Sequence, residues 1–312
     1  MTLPAAPVAD QPRPAGTDGP PRTSGAAGSV GRPTRRRPGG HGRPSWSRTL
    51  LLVLCSLTVL LPFYVTVSMA FKTPSQAVDG EAFALPSPWS IEGFVAAWEL
   101  TDFPRAFGIS LGITVAAVVG TILLSAMASY AISRNWHRRL YRWSFFYLLA
   151  AMFLPFPVLA LSQVKLTGMV GLAGPAGVAL LHIMFQLSFS TLLFTAFLRS
   201  LPAELEESAR MDGASTWGTF WRIVFPLMAP MSATVGIFAF LKAWNDFMMP
   251  SMIIEDPTQQ TLPVLQNIFQ EQFSNDYHVA FASYLMAMAP AILAYVLAQR
   301  WVMSGLTQGA VK

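Results

Sequence analysis

Apolar residues do not alternate along this chain; they gather in long runs that short polar stretches interrupt. A helix needs about 20 residues to cross a hydrocarbon core about 30 Å thick. Six runs reach that length: residues 49–71, 106–133, 143–163, 177–198, 231–253 and 279–303. Each predicts a membrane-spanning helix, because in lipid every backbone amide must find its partner inside its own segment. Pro155 and Pro157 interrupt the third run. Prolines are tolerated in membrane helices, so they predict a kink there and an unbroken span. The pattern predicts an all-α polytopic membrane protein with six transmembrane helices.

Between the fourth and fifth runs lies a polar-rich segment, residues 204–230, ELEESARMDGASTWGTFWRIVFPLMAP. Glu204, Glu206 and Glu207 follow Pro202 and fall in a first helical turn, where the helix dipole favours acids. Gly213 supplies a bend, and Ser215 is placed to cap a second short helix that runs to about Phe225. The prediction is a helix-turn-helix loop within residues 199–230. On these residues alone, a featureless amphipathic connector between spans is an equal alternative.

Composition agrees with the runs. Mean hydropathy is +0.45, and 53% of residues are hydrophobic against 12% charged, which excludes a soluble domain. Residues 1–46 are a different material, rich in Pro, Gly, Arg, Ser and Ala, and cannot bury a core. They predict a disordered tail ahead of a transmembrane domain over 47–312. Its run Arg35, Arg36, Arg37 has the charge to touch anionic lipid headgroups or nucleic acid. A solvated tail that only sets topology is the reading taken, with the bilayer and no nucleic acid as partner. The tail is too long, and lacks a convincing small-residue cleavage site, for a secretory signal.

Basic residues give an orientation. Arg32, Arg35, Arg36, Arg37, Arg43 and Arg48 precede the first run, Arg134, Arg138, Arg139 and Arg142 follow the second, and Arg199, Arg210 and Arg222 follow the fourth. The alternate loops hold only Lys72, Arg105 and Lys165, while acids such as Asp79, Glu81, Glu92, Glu99, Asp102, Glu255, Asp256, Glu271 and Asp276 collect there. The positive-inside rule then predicts that both termini and the 204–230 loop are cytoplasmic.

Enzyme chemistry finds no footing. The single cysteine, Cys55, lies inside the first run, so an intrachain disulfide is impossible. There is no phosphate-binding loop of the Gly-x-x-x-x-Gly-Lys-Ser/Thr type, and His41, His137, His182 and His278 are scattered without metal-ligand spacing. No nucleophile, base and orienter set is recognisable, so no cofactor, no metal and no catalysis by this chain alone are expected.

Polar groups inside a bilayer are costly and therefore candidates for function. The sharpest cluster is Lys242, Trp244, Asn245 and Asp246 in the fifth run. Lys242 and Asp246 are four residues apart and would share a helix face, where they could pair. Trp244 and Asn245 add a stacking surface and an amide, groups that suit sugar rings and hydroxyls. Packing against another helix explains the cluster equally well. In the fourth run Gln186, Ser188, Ser190 and Thr191 could line a path, but Ser and Thr also bond helix carbonyls, and that reading is taken. His182 is read as a packed histidine, not a proton relay.

The polar segment resembles the EAA loop of the membrane subunits of ABC importers. Glu207, Ser208 and Ala209 stand for Glu-Ala-Ala, Gly213 for the glycine, and Val224, Phe225 and Pro226 for the hydrophobic, proline-ended close. Ser208 replaces the middle alanine and Phe225 the usual leucine, both small changes of bulk. Further stretches are similar to the carbohydrate branch: Phe71 to Pro74, Ser129 to Arg134, Trp244 to Phe247, and an ending, Gly305 to Lys312, like that of the maltose-type second permease subunit. The resemblance covers roughly residues 49–312.

What the resemblance implies is a type I ABC importer permease fold. Such a subunit pairs with a homologous second permease, sits on two ATP-binding subunits, and takes its cargo from an extracytoplasmic solute-binding protein. The implied cargo is a sugar, an oligosaccharide or a related polyol. Glu207, Ser208, Ala209, Asp212, Gly213 and Ala214 would dock the loop on the ATPase, whose closure biases the permease between two states. Two other classes remain beside it: an ion-gradient-driven secondary transporter using Lys242 and Asp246, and a membrane-anchored interaction protein working through its Arg-rich tail.

Overall fold

The computed structural model describes residues 46–79, 82–271 and 276–310. The chain divides into Met1–Val53 and Leu54–Lys312. Of the first unit only the opening turns of one helix are described, so the tail predicted over 1–46 lies, but for Trp46, outside the described residues. All that follows concerns the second unit.

Every regular element among the described residues is helical. In chain order they are α1 (Trp46–Ala70), α2 (Pro74–Asp79), α3 (Glu92–Leu100), α4 (Phe103–Arg134), α5 (Arg139–Ala151), α6 (Phe156–Met169), α7 (Pro175–Leu198), α8 (Glu204–Met211) and α9 (Thr216–Thr219). A π-helical segment (Phe220–Val224) and α10 (Phe225–Leu227) lead into α11 (Ala229–Trp244) and α12 (Met248–Ile253). A 3-10 turn (Pro257–Gln259), α13 (Leu262–Glu271) and α14 (Tyr277–Ala310) complete the set.

Four of the six predicted spans are single helices long and apolar enough to cross a membrane: Trp46–Ala70, Phe103–Arg134, Pro175–Leu198 and Tyr277–Leu297. The third differs from the expected kinked span. It is two helices, α5 and α6, meeting at 103°. Pro155, extended at ψ 147°, precedes α6, and Pro157 sits in the first turn of that helix. Two prolines two residues apart remove two donors and push the residues before them out of helical geometry, so the chain breaks where one proline would only kink it.

The fifth span differs at both ends. α11 stops at Trp244, and residues 245–247 separate it from α12. At its other end α11 meets the loop's second helix, Thr216–Leu227, at 74°. If each bent pair counts as one span, the total reaches six.

The centre of the fold is the packing of α4 on α7. Ser110, Thr114, Ala117, Thr121, Ser125 and Ser129 are all buried along one face of α4. Their spacing of three or four residues makes one helical stripe, and such small side chains let two backbones approach closely where lipid gives helices no hydrophobic drive to associate. The Ser129 hydroxyl then donates to the Thr191 carbonyl of α7 at 3.0 Å. Ser188, Ser190 and Thr191 are buried in the same packing, as the carbonyl-bonding reading of the fourth run anticipated. At the far end of α7 a second cluster joins Ile113, Val178 and Leu181 to Met249 and Ile253, which holds α12 in place.

Candidate functional site

The polar loop folds as its sequence predicts. Helix α8 ends in a paired cap: the Ala214 amide donates to the Ala209 carbonyl at 2.9 Å and the Gly213 amide to the Arg210 carbonyl at 3.0 Å. Between them Gly213 takes φ +85°. That left-handed geometry is open to glycine and strained for a residue with a Cβ. Ser215 caps the next helix, its hydroxyl accepting from the Gly218 amide at 3.1 Å.

The second helix of the loop is not a free arm. Phe220 and Val224 of the π segment are buried with Tyr130 and Ala126 of α4, Phe194 and Leu198 of α7, and Val235 of α11. Movement of the loop and movement of those helices are therefore one event.

The six loop residues singled out from the sequence divide by exposure. Glu207, Ser208, Asp212 and Gly213 are exposed, Ala214 is half-buried, and Ala209 is buried. Ala209 therefore holds the helix down, its carbonyl anchoring the cap, and offers no surface. Exposed apolar groups stand beside the polar ones, Met211 at 88% exposure and Trp217 at 59%.

Sequence reasoning missed Glu206. Its side chain is only 5% exposed. The Tyr130 hydroxyl donates to one carboxylate oxygen at 3.1 Å, and Arg134 Nε donates to the other at 2.7 Å. A terminal nitrogen of Arg134 bonds it as well, and Arg210 approaches within 3.9 Å. Glu206 thus ties α8 to the last turn of α4. Its only local signal was a shared face with Ala209 and Arg210, three and four residues on.

The intramembrane cluster is rearranged relative to the sequence reading. Lys242 and Asp246 do not share a helix face, because α11 ends at Trp244. Asp246 Oδ1 instead accepts from the Met248 amide at 3.1 Å, opening α12. Its other oxygen lies 3.3 Å from His182 Nε2. His182 is packed, as expected, and is also the neighbour of the carboxylate. Trp244 is buried, donates from Nε1 to the Ala287 carbonyl at 3.0 Å, and stacks on Phe240. Asn245 donates to the Leu241 carbonyl at 2.9 Å. Both of these residues finish a helix.

Lys242 and Asp246 do meet one space. A cleft of about 590 Å³ is lined by them, by His182, Gln186, Phe185 and Phe189 of α7, by Phe238, and by the chain around Pro155 and Met248. Both helix breaks open on it. The described residues contain no group of His, Cys, Asp and Glu arranged to hold a metal ion.

Residues 108–308 match the model of a family described as "Binding-protein-dependent transport system inner membrane component". The chain is 32% identical over 267 residues to the multiple sugar-binding transport system permease protein MsmG of Streptococcus mutans, covering 84% of this chain and 95% of that one. It is 30% identical over 269 residues to the melibiose/raffinose/stachyose import permease protein MelC of Bacillus subtilis, covering 85% and 95%. The fold is similar to a chain of a bacterial ABC transporter involved in the import of the acidic polysaccharide alginate. That match has a TM-score of 0.71 and 21% identity, and covers 82% of this chain and 95% of the other.

Proposed function

The chain belongs to the family of binding-protein-dependent transport system inner membrane components, the permease subunits of ABC importers, and from that premise we propose how it couples and what it carries. Its cargo is a sugar, an oligosaccharide or a related polyol, the class named for the relatives MsmG and MelC. The 204–230 loop docks on partner ATP-binding subunits, with Glu207, Ser208, Asp212 and Gly213 on its exposed surface and Ala209 and Ala214 holding its shape. A homologous second permease completes the pathway. The observation that carries this reading is the join between the loop and the spans: a glycine-capped helix with an outward polar face, fused through Phe220, Val224 and Glu206 to α4 and α7. Such a rigid element transmits a bias from one end of a two-state machine to the other.

Gly213→Val tests the coupling. A branched side chain in the left-handed region costs on the order of 1–2 kcal/mol, which is roughly a tenfold shift away from the capped loop. The expected result is about a tenfold loss of binding-protein-stimulated ATP hydrolysis, with the permease still inserted. Gly213→Asn should retain most of it, because asparagine tolerates positive φ. Normal ATPase recovery and stimulation in the valine variant would sink the assignment.

The loop and both termini face the cytoplasm in this proposal, on the strength of the basic residues around them. With Cys55→Ser as background, a cysteine at Thr216 should resist an impermeant thiol reagent applied to intact cells, and one at Ser75 should react. The opposite pattern reverses the orientation.

A further inference from the structure

We infer that the cleft between the two helix breaks is a cargo-binding subsite of this subunit, and that it is built for an uncharged oligosaccharide. The inference rests on the importer reading and names the part of this chain that touches the cargo.

Three observations converge on it. Broken backbone at membrane depth is tolerated where it is buried in protein or lines a cavity. Here the break before α6 and the break before α12 border the same cleft, whose volume of about 590 Å³ falls within the usual range for a ligand pocket. Nothing in the local sequence requires two breaks some ninety residues apart to meet, and the paired interruption of helices around one space is how membrane transporters commonly hold a substrate.

The lining has the required chemistry. Phe185 and Phe189 lie one turn apart on α7 and present apolar ring surface to the cleft. Between them Gln186 carries an amide nitrogen that is buried without a hydrogen-bond partner. His182 Nε2 is likewise buried and, although 3.3 Å from Asp246, makes no well-aligned hydrogen bond. A buried donor without a partner is costly, so a ligand that supplies acceptors is favoured there. Ring faces beside a few convergent amide, carboxylate and ammonium groups suit pyranose rings and their hydroxyls.

Charge selects among sugars. Lys242 and Asp246 are the fully charged residues lining the cleft, and their charges cancel. A carboxylate-bearing saccharide would gain little from the ammonium before meeting the carboxylate, whereas a neutral one can bond to both. Ionisable residues kept inside a membrane protein most often mark such a path.

The test uses the assembled complex of permeases and ATP-binding subunits in lipid nanodiscs, without binding protein, followed by saturation-transfer NMR. The probes are maltotriose, raffinose and trigalacturonic acid. Binding of at least one neutral trisaccharide is expected, with trigalacturonic acid weaker. Gln186→Ala should weaken the neutral ligand about tenfold, the loss of one hydrogen bond in a dry site, and Phe189→Ala should weaken it too. Met184→Ala, exposed on the same helix, should bind normally. Size-exclusion chromatography establishes that each variant assembles; should Gln186→Ala fail to, Phe189→Ala decides. Absence of neutral binding, stronger binding of the acid, or unchanged affinity in assembled cleft variants each overturns the subsite. Binding-protein-stimulated ATP hydrolysis by the unaltered complex reports on the importer reading separately, so a subsite that fails in an active importer fails alone.

Discussion

Glu206→Ala is expected to destabilise the permease by about 3 kcal/mol, the lower end of the cost of removing one partner from a buried ion pair. The lower end applies because the Arg134 side chain retains 22% exposure, so its orphaned charge is partly hydrated. Tyr130 loses its acceptor at the same time, in a cluster of buried apolar groups. Replacing both charges, Glu206→Leu with Arg134→Met, should recover most of the loss, since apolar pairs of similar volume often substitute for a buried ion pair without penalty. Reversible unfolding of the detergent-solubilised variants in a denaturing surfactant measures all three. A loss below about 0.5 kcal/mol in Glu206→Ala, or losses that simply add in the double variant, would falsify the tie.

The second large effect is expected at Gly93, where α3 crosses α14. A Cβ there would stand 2.7 Å from the carbonyl oxygen of His278 and 3.0 Å from its carbonyl carbon. Those are backbone atoms of a long helix, which cannot turn aside as a side-chain tip would. Gly93→Val should therefore force the helices apart and cost about 3 kcal/mol, the upper part of the overpacking range. Gly108 in α4 is the contrast, because a Cβ there meets nothing within 4 Å. Gly108→Ala should be neutral or stabilising by up to about 1 kcal/mol, the helix-propensity difference. Equal unfolding midpoints for Gly93→Val and the parent would show that the crossing is loose.

The loop was legible because its signals are local. The acids of the first turn, Gly213 at the cap and Ser215 at the next N-terminus each act within three or four residues of themselves, and the structure has all three in those roles. Four spans were legible for the same kind of reason, since transfer of a long apolar helix into lipid depends on the run and little else. The third span was misjudged because a proline's effect turns on whether neighbouring groups satisfy the freed backbone, and no count of residues reveals that.

By itself the sequence determined the helical class, the membrane setting, the capped loop and the motif that identifies the family. All of these follow from short-range chemistry: hydrophobic transfer, helix caps and backbone preference. Tertiary structure alone decided the pairings. Glu206 meets Arg134 across 72 residues of chain, Ser129 meets Thr191 across 62, and His182 meets Asp246 in place of the expected Lys242. It also decided that Trp244 packs while Gln186 faces a cleft, although both are polar-capable groups in apolar runs. Which face of a helix is buried depends on what packs against it, and in lipid the neighbouring helix is chosen by fit between small residues, which leaves little trace in hydropathy.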